Sequence, residues 1–249
     1  MEQALRSSRE MRILDVGCGP GSITHDVFAS YGESNAVVGL DTPAELIQAC
    51  RTKYCSGGDS AVDTTNHNTL KFVQGSAYKL PFADGEFDIV YCHQVLIHLK
   101  DPIAAVREML RVLRRSEGNA LLPSYLFVCE GEKRSFFFHP LSYQPTLTEY
   151  LNVEASKYTR ESFGLGLLEL FRSATEDSLR HPKSVSLDTV SWCISDEALK
   201  KHFASMYVDR IASRKDVPDV QRFIDAWTNW SEDPVSAAAA MNGILIVVY

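Results

Sequence analysis

Three glycines that could form a ligand-binding loop, Gly17, Gly19 and Gly21, come directly after a short apolar segment, residues 12–16. Glycine permits positive φ angles and lets a ligand approach the backbone closely. The free N–H groups of the helix predicted to begin at Ser22 favour an anionic or carboxylate group. The glycines therefore suggest a binding loop, and a tight turn without a ligand explains them equally well.

The carboxylate of Asp41 supports the interpretation of the glycines as a ligand-binding loop. Asp41 ends the second predicted strand, 20 residues beyond Gly21, where it can accept hydrogen bonds from both hydroxyls of a ribose. The alternative role is an ordinary N-cap for the helix that follows Pro43. Because the glycine spacing is Gly-x-Gly-x-Gly and not Gly-x-Gly-x-x-Gly, the pattern differs from that of dinucleotide-binding enzymes.

Strands and helices alternate in the first half of the chain. Apolar runs predict strands over residues 12–16, 36–40, 70–74, 86–92 and 119–129, and helical periodicity predicts helices over 22–31, 43–54 and 101–113. The polar segment 56–68 is predicted to be a mobile surface loop. This alternation indicates a parallel sheet with helices on both faces, whose ligands bind at the carboxyl ends of the strands.

The second half of the chain is predicted to be mostly helical. Residues 140–182 lack clear strands, a strand is expected over 184–193, and helices are expected over 196–212 and 217–230. We predict one domain over residues 1–249, made of a core (11–130), a helical cover with one additional strand (131–241) and a final strand (242–249). The aromatic residues Phe136, Phe137, Phe138, Tyr143, Tyr150 and Tyr158 either line an apolar substrate pocket or form ordinary core, whereas Trp227 and Trp230 are predicted to pack between helices.

Composition argues against several classes of protein. The chain has 25 Lys and Arg against 32 Asp and Glu, a net charge of −7, so no nucleic-acid partner is expected. The one dense basic stretch, 107–115, is interleaved with apolar residues and predicts the solvated face of a helix. Six cysteines without zinc spacing predict reduced thiols and no metal site. No apolar run is long enough for a membrane span, and the chain is expected to be cytoplasmic.

The motifs also resemble those of a known family. Residues 13–22 resemble the first motif of class I S-adenosylmethionine-dependent methyltransferases, residues 38–41 the second, and residues 72–82 and 87–98 the regions of the third and fourth strands. The resemblance is greatest to the ubiquinone/menaquinone-biosynthesis-like, or methyltransferase type 11, group and covers residues 11–118. It implies an α/β, Rossmann-like sheet of seven mostly parallel strands with helices on both faces and a helical insertion after strand 5.

The resemblance also implies S-adenosyl-L-methionine as cofactor and assigns its binding residues. Gly17, Gly19 and Gly21 would line the methionine part, with Asp15 holding the loop. Asp41 would bind the ribose, Thr42 and Pro43 would flank the adenine, Ser76 and Ala77 would lie at the adenine edge, and His93 would face the sulfonium with Gln94 beside it. The family usually has Asp at the position of Ser76, so weaker cofactor binding is expected here.

Candidate bases for the transfer are His93 and His98, with His139 and Glu130 as further candidates. The alternatives are packing against the cofactor for His93 and a hydrogen bond at a helix edge for His98. Glu130 and Glu132 would either orient a polar group of the substrate or belong to a solvated loop.

The function that these motifs predict is methyl transfer from S-adenosylmethionine to a small, apolar or secondary-metabolite acceptor. The alternatives are a methyltransferase-fold protein that does not transfer methyl, either a cyclase, an isomerase or an inactive partner subunit, and a protein methyltransferase. A homodimer is possible. Only about ten residues precede the first strand, where relatives carry helices, which predicts an open site, a site closed by a partner chain, or a truncated gene product.

Overall fold

The computed structural model of the protein describes residues 10–32, 35–55, 69–114, 123–155, 163–176 and 182–249. Its strands are β1 (Arg12–Val16), β2 (Ala36–Asp41), β3 (Thr69–Gln74), β4 (Ile89–His93), β5 (Tyr125–His139), β6 (Ser184–Ile194) and β7 (Ala237–Val248). Its helices are α1 (Ser22–Tyr31), α2 (Ala44–Tyr54), α3 (Pro102–Val112), α4 (Gln144–Ala155), α5 (Leu167–Thr175), α6 (Glu197–Ala212) and α7 (Val220–Glu232), with a 3-10 helix at Leu96–His98. The expectations about residues 1–9, the loop at 56–68, residues 119–122 of the fifth predicted strand and Tyr158 lie outside the described residues.

The seven strands form one sheet in the order β3-β2-β1-β4-β5-β7-β6. β1 pairs in parallel with β2 and with β4, β2 with β3, and β4 with β5. The carboxyl ends of the first four strands therefore meet at one edge, where their loops can form a common site. The predicted α/β fold with a mostly parallel seven-stranded sheet is confirmed.

Three strands differ from the prediction by three residues or more: β4 begins at Ile89 and not at residue 86, and β5 and β7 also differ. β5 begins at Tyr125 and continues to His139, although the sequence suggested residues 119–129, and β7 begins at Ala237 and not at residue 242. Residues 131–139 and 237–241, predicted as helical cover, are therefore strand. Around Phe137 the side chains alternate between exposed and buried, which is the two-residue period of a strand.

The chain divides into two compact units. The first comprises residues 1–130, 167–188 and 244–249, and the second comprises residues 131–166 and 189–243. The predicted division into core, cover and final strand remains a prediction. One core of the first unit is built from buried side chains of the central strands, including Ile13, Val37, Ile89, Tyr91 and Phe127, against which Val27 of α1 packs.

The second unit has an aromatic core. Trp227 and Trp230 of α7 are fully buried, and the ring of Trp227 stacks on Tyr207 with 4.4 Å between centroids. This confirms the predicted packing role of the two tryptophans. The predicted aromatic residues have different surroundings. Phe138 and Tyr150 belong to this core, whereas the side chain of Phe137 is 68% exposed.

The basic stretch is not simply a solvated face. Arg111 donates to the carboxylates of Glu108 and Asp84 and to the carbonyl oxygens of Leu80 and Phe82. Arg107 donates to the carbonyl oxygen of Ala174 at the end of α5. These arginines tie α3 to neighbouring segments of the first unit.

The six cysteines are all free thiols. Among the described helices, none combines the length and apolar character that crossing a membrane requires.

Replacing Phe138 by Ala should lower the free energy of unfolding by about 3–5 kcal/mol, because it leaves a cavity beside two buried indoles. The Phe138 ring meets Trp227 and Trp230 edge-on, with centroids 5.5 and 5.8 Å apart. Urea denaturation followed by tryptophan fluorescence measures the change. Phe137→Ala, at the neighbouring exposed position, is the matched control and should change stability by less than about 0.5 kcal/mol. Equal losses in both variants would contradict the assignment of Phe138 to the core.

Candidate functional site

The glycine loop between β1 and α1 has a backbone that requires glycine. Gly17, Gly19 and Gly21 have φ angles of 76°, 53° and 76°, in the left-handed region that other residues rarely adopt. The N–H groups of Gly17 and Cys18 both donate to the carbonyl oxygen of Leu40, at 2.7 and 3.0 Å. The loop is therefore fastened to the end of β2.

The three glycines differ in the space around them. A Cβ atom at Gly17 would lie 2.5 Å from Cγ2 of Val95, and one at Gly21 would lie 2.8 Å from the ring of Phe72. A Cβ at Gly19 would meet nothing within 4 Å. Gly17 and Gly21 are therefore needed for packing, whereas Gly19 leaves an open face on which a ligand could lie.

Asp41 borders this open face. Its Oδ2 accepts a hydrogen bond from the N–H of Gly19 at 2.9 Å, and its Oδ1 accepts one from the N–H of Thr42 at 2.7 Å. Each carboxylate oxygen can accept a further hydrogen bond, so the half-buried side chain remains able to bind two hydroxyls. The alternative N-cap role is wrong, because Pro43 is the N-cap of α2 and no side-chain cap bond is made there.

Asp15, the fourth residue of β1, is only 2% exposed. Its Oδ2 accepts a hydrogen bond from the hydroxyl of Thr24, the third residue of α1, at 2.6 Å. Burial raises the pKa of Asp15 to about 6, although the bond from Thr24 opposes this shift. Asp15 thus anchors the start of α1 through Thr24, a residue that no motif of the sequence indicated.

Ser76 and Ala77 lie just beyond β3 and are half-buried. The N–H of Gly75 donates to the carbonyl oxygen of Asp41 at 2.9 Å, which joins this segment to the end of β2. The hydroxyl of Ser76 accepts a hydrogen bond from the N–H of Tyr78 at 3.2 Å. The segment predicted to meet the adenine therefore adjoins the predicted ribose-binding carboxylate.

His93 ends β4 with an exposed side chain. Desolvation by the surrounding protein lowers the pKa of His93, which favours a neutral imidazole at neutral pH. Gln94 follows with a φ of 58°, and its N–H donates to the carbonyl oxygen of Cys129 at 2.8 Å. His98 lies on the 3-10 helix and is also exposed.

Glu130 and Glu132 do not form a solvated loop, because both are buried residues of β5. Oε1 of Glu130 accepts hydrogen bonds from the N–H groups of Val95 and Leu96, and Oε2 of Glu132 accepts one from Leu165. His139 is the last residue of β5 and is exposed. In the portion of the chain that the structure describes, no three His, Cys, Asp or Glu side chains are placed to hold a metal ion.

Known proteins are similar to this chain in sequence. The methyltransferase domain family matches residues 14–119. The uncharacterized methyltransferase C1B3.06c of Schizosaccharomyces pombe is 31% identical over 232 residues, 89% of this chain and 78% of that protein. The O-methyltransferase rstn1 of Aspergillus nomiae is 29% identical over 146 residues, 58% of this chain and 61% of that protein, so this chain spans less than two thirds of its length.

Solved structures show the same fold at lower identity. The YcgJ protein from Bacillus subtilis superposes with a TM-score of 0.55 and 19% identity, over 99% of this chain and 94% of that one. The phosphoethanolamine N-methyltransferase 2 of Haemonchus contortus, solved with S-adenosylhomocysteine, has a TM-score of 0.55 and 13% identity, over 99% of this chain and 50% of that one.

Replacing Asp15 by Asn should make stability less dependent on pH. Because the pKa of Asp15 is raised from 3.8 to about 6, the native state holds this proton more tightly than the unfolded chain. The Asp15 contribution to stability is therefore present below pH 4 and is lost as pH rises through about 6. The free energy of unfolding of the wild type, relative to Asp15→Asn, should fall by on the order of 3 kcal/mol from pH 4 to pH 8.

Urea denaturation at the two pH values measures this difference. Asp209→Asn, at an exposed position of α6, controls for the loss of one charge. A difference between Asp15→Asn and the wild type that is the same at both pH values would show that Asp15 keeps its ordinary acidity in the fold.

Proposed function

Because this chain belongs to the class I S-adenosylmethionine-dependent methyltransferases, we propose that it binds S-adenosylmethionine at the glycine loop and transfers its methyl group to a small-molecule acceptor. The residues proposed to hold the cofactor are Asp15, Gly17, Gly19, Gly21, Asp41, Thr42, Pro43, Ser76, Ala77, His93 and Gln94.

The observation that carries this proposal is the pairing of Asp41 with the open face at Gly19. Both carboxylate oxygens of Asp41 can accept a further hydrogen bond, and Oδ2 already accepts one from the N–H of Gly19 at 2.9 Å. A Cβ atom added at Gly19 would meet nothing within 4 Å. A ribose needs such a carboxylate, and the amino-acid part of the cofactor needs backbone that it can approach closely. The residues present therefore fit the cofactor.

The protein has little chemistry of its own to supply. The bound cofactor provides a methyl group already activated on a sulfonium. The task of the chain is to hold the acceptor in line with that methyl, and orientation of this kind can contribute roughly 7–11 kcal/mol to the barrier reduction. His93, kept neutral by its lowered pKa, is the residue proposed to take a proton from a hydroxyl acceptor.

The acceptor is proposed to be a small, apolar molecule of secondary metabolism that carries a hydroxyl group. The Aspergillus nomiae relative is named an O-methyltransferase, which supports oxygen as the acceptor atom. The net charge of −7 does not suit a polyanionic acceptor.

Asp41→Ala should weaken the binding of S-adenosylhomocysteine at least tenfold, because the charge-assisted hydrogen bonds to the ribose are lost. Isothermal titration calorimetry of the purified chain measures the affinity. Glu45→Ala removes an exposed carboxylate from the first turn of α2 and should leave the affinity unchanged.

A second variant tests the open face without touching Asp41. Gly19→Ala adds a methyl group that meets no protein atom within 4 Å, so the protein should still fold, with a modest cost from the φ of 53°. The added methyl group should nevertheless abolish binding by occupying the ligand's place. The proposal fails if the wild type gives no heat with S-adenosylhomocysteine, or if both variants bind as the wild type does.

His93→Ala should lower methyl transfer to a hydroxylated aromatic acceptor by about 10²-fold or more, because the proton acceptor is lost. It should weaken S-adenosylhomocysteine binding far less, because the glycine loop and Asp41 remain. Mass spectrometry of a panel of such acceptors, incubated with S-adenosylmethionine, detects products that have gained one methyl group. His202→Ala, at an exposed position of α6, is the control histidine variant. Unchanged transfer by His93→Ala would remove His93 from the role of base.

A further inference from the structure

Glu130 is a buried carboxylate whose two oxygens have different surroundings. The residue has no exposed surface, and its Oε1 accepts hydrogen bonds from the backbone N–H groups of Val95 at 2.9 Å and Leu96 at 2.7 Å. Its Oε2 is buried and has no hydrogen-bond partner among the residues that the structure describes. Burying a carboxylate with one oxygen unpaired costs free energy, so folding alone does not account for an acid at this position.

The N–H groups that Glu130 binds belong to the turn after β4. Val95 and Leu96 directly follow Gln94, whose φ of 58° is unusual for a residue other than glycine. Such a conformation persists when surrounding contacts enforce it. Two hydrogen bonds to Glu130 fasten the backbone immediately after Gln94, and therefore the position of His93 immediately before it.

The same hydrogen bonds reach the glycine loop. The side chain of Val95 lies against Gly17, so close that a Cβ at Gly17 would be 2.5 Å from Val95 Cγ2. By holding the backbone of Val95, Glu130 also fixes the surface on which the glycine loop packs.

Among the residues that the structure describes, the Cys92 thiol is a titratable neighbour of Glu130. The Cys92 side chain of β4 is buried, and burial, followed by the charge of Glu130, raises its pKa. Cys129 precedes Glu130 in β5, and the 3-10 helix contributes the N–H groups already described. Burial raises the pKa of Glu130 itself to about 7, against the opposing effect of the backbone N–H groups of Leu96, Val95 and Ile97. The carboxyl group therefore changes its charge in the neutral pH range.

We propose that Glu130 is a positioning residue of the methyl-transfer site: through the N–H groups of Val95 and Leu96 it sets the His93–Gln94 turn against the glycine loop, and its negative charge strengthens this hold. This inference rests on the proposed function, which identifies the site as the place of methyl transfer. A hydrogen bond to an ionised acceptor is about twice as strong as one to a neutral acceptor, so the turn is held most firmly when Glu130 has lost its proton.

The direct test needs no cofactor. In two-dimensional NMR spectra of the full chain, the amide signals of Val95 and Leu96 should shift together between pH 5.5 and 8.5, with a midpoint near pH 7. Glu130→Gln keeps one oxygen acceptor but cannot ionise, so both shifts should disappear. Glu132→Gln replaces a second buried glutamate of β5 and should preserve them. The proposal is overturned if the wild-type amides do not titrate, or if Glu130→Gln titrates as the wild type does.

The second test connects the turn to cofactor binding. The wild type should bind S-adenosylhomocysteine about threefold to tenfold more tightly at pH 8 than at pH 6, since the charged acceptor holds the site in its binding shape. Glu130→Gln should show a clearly smaller pH dependence than the wild type, the remainder belonging to Asp15, whose pKa is about 6, and Glu132→Gln should retain the full dependence. A Glu130→Gln variant whose affinity has the same pH dependence as the wild type overturns the proposal.

Failure of the proposed function and failure of the inference about Glu130 give different results. If the wild type gives no binding heat at any pH, the proposed function is wrong, and the amide titration still decides whether Glu130 holds the turn.

Discussion

The candidate site depends on the contact between the Asp41 carboxylate and the N–H of Gly19. This contact forms because β1 and β2 are parallel neighbours whose carboxyl ends lie side by side. The carbonyl oxygen of Leu40, one residue before Asp41, takes two further N–H groups of the loop. The loop is thus shaped by protein contacts before any ligand arrives, and preorganisation of this kind lowers the entropy cost of binding.

Two other carboxylates, Asp15 and Glu130, support the site from positions with almost no solvent exposure. Burial raises the pKa of Asp15 to about 6 and that of Glu130 to about 7. Each ionised carboxylate therefore makes folding less favourable at neutral pH. In return, Asp15 fixes the start of α1 through Thr24, and Glu130 fixes the turn after β4. A cost in stability at residues that surround a binding site is a common feature of functional proteins.

The first unit was predicted well because its local signals agree with its tertiary contacts. β1 and α1 have the predicted bounds, since apolar residues buried on both faces and a run of helical period are each unambiguous there. β5 was predicted poorly because Glu130 and Glu132 indicated a solvated loop. Charged residues are rarely buried, so the sequence favoured exposure of both glutamates. Their burial is explained by hydrogen-bond partners distant in sequence, which are Val95 and Leu96 for Glu130 and Leu165 for Glu132. The aromatic run had two explanations for a similar reason, since only the strand geometry separates buried Phe138 from exposed Phe137.

The sequence by itself determined the α/β class and the residues at the ends of the first four strands, because glycine spacing, a strand-ending carboxylate and apolar periodicity are local properties of the chain. The family followed from the resemblance of its motifs to those of known methyltransferases. Only the tertiary structure decided which glycine is open and which two are packed, since Val95 and Phe72 reach Gly17 and Gly21 from distant parts of the chain. It also decided that Asp41 holds the loop and does not cap α2, and that Glu130 is buried behind the turn after β4. Each of these depends on atoms that come within hydrogen-bonding or van der Waals distance only when the strands are paired, and no local pattern of residues records such distances.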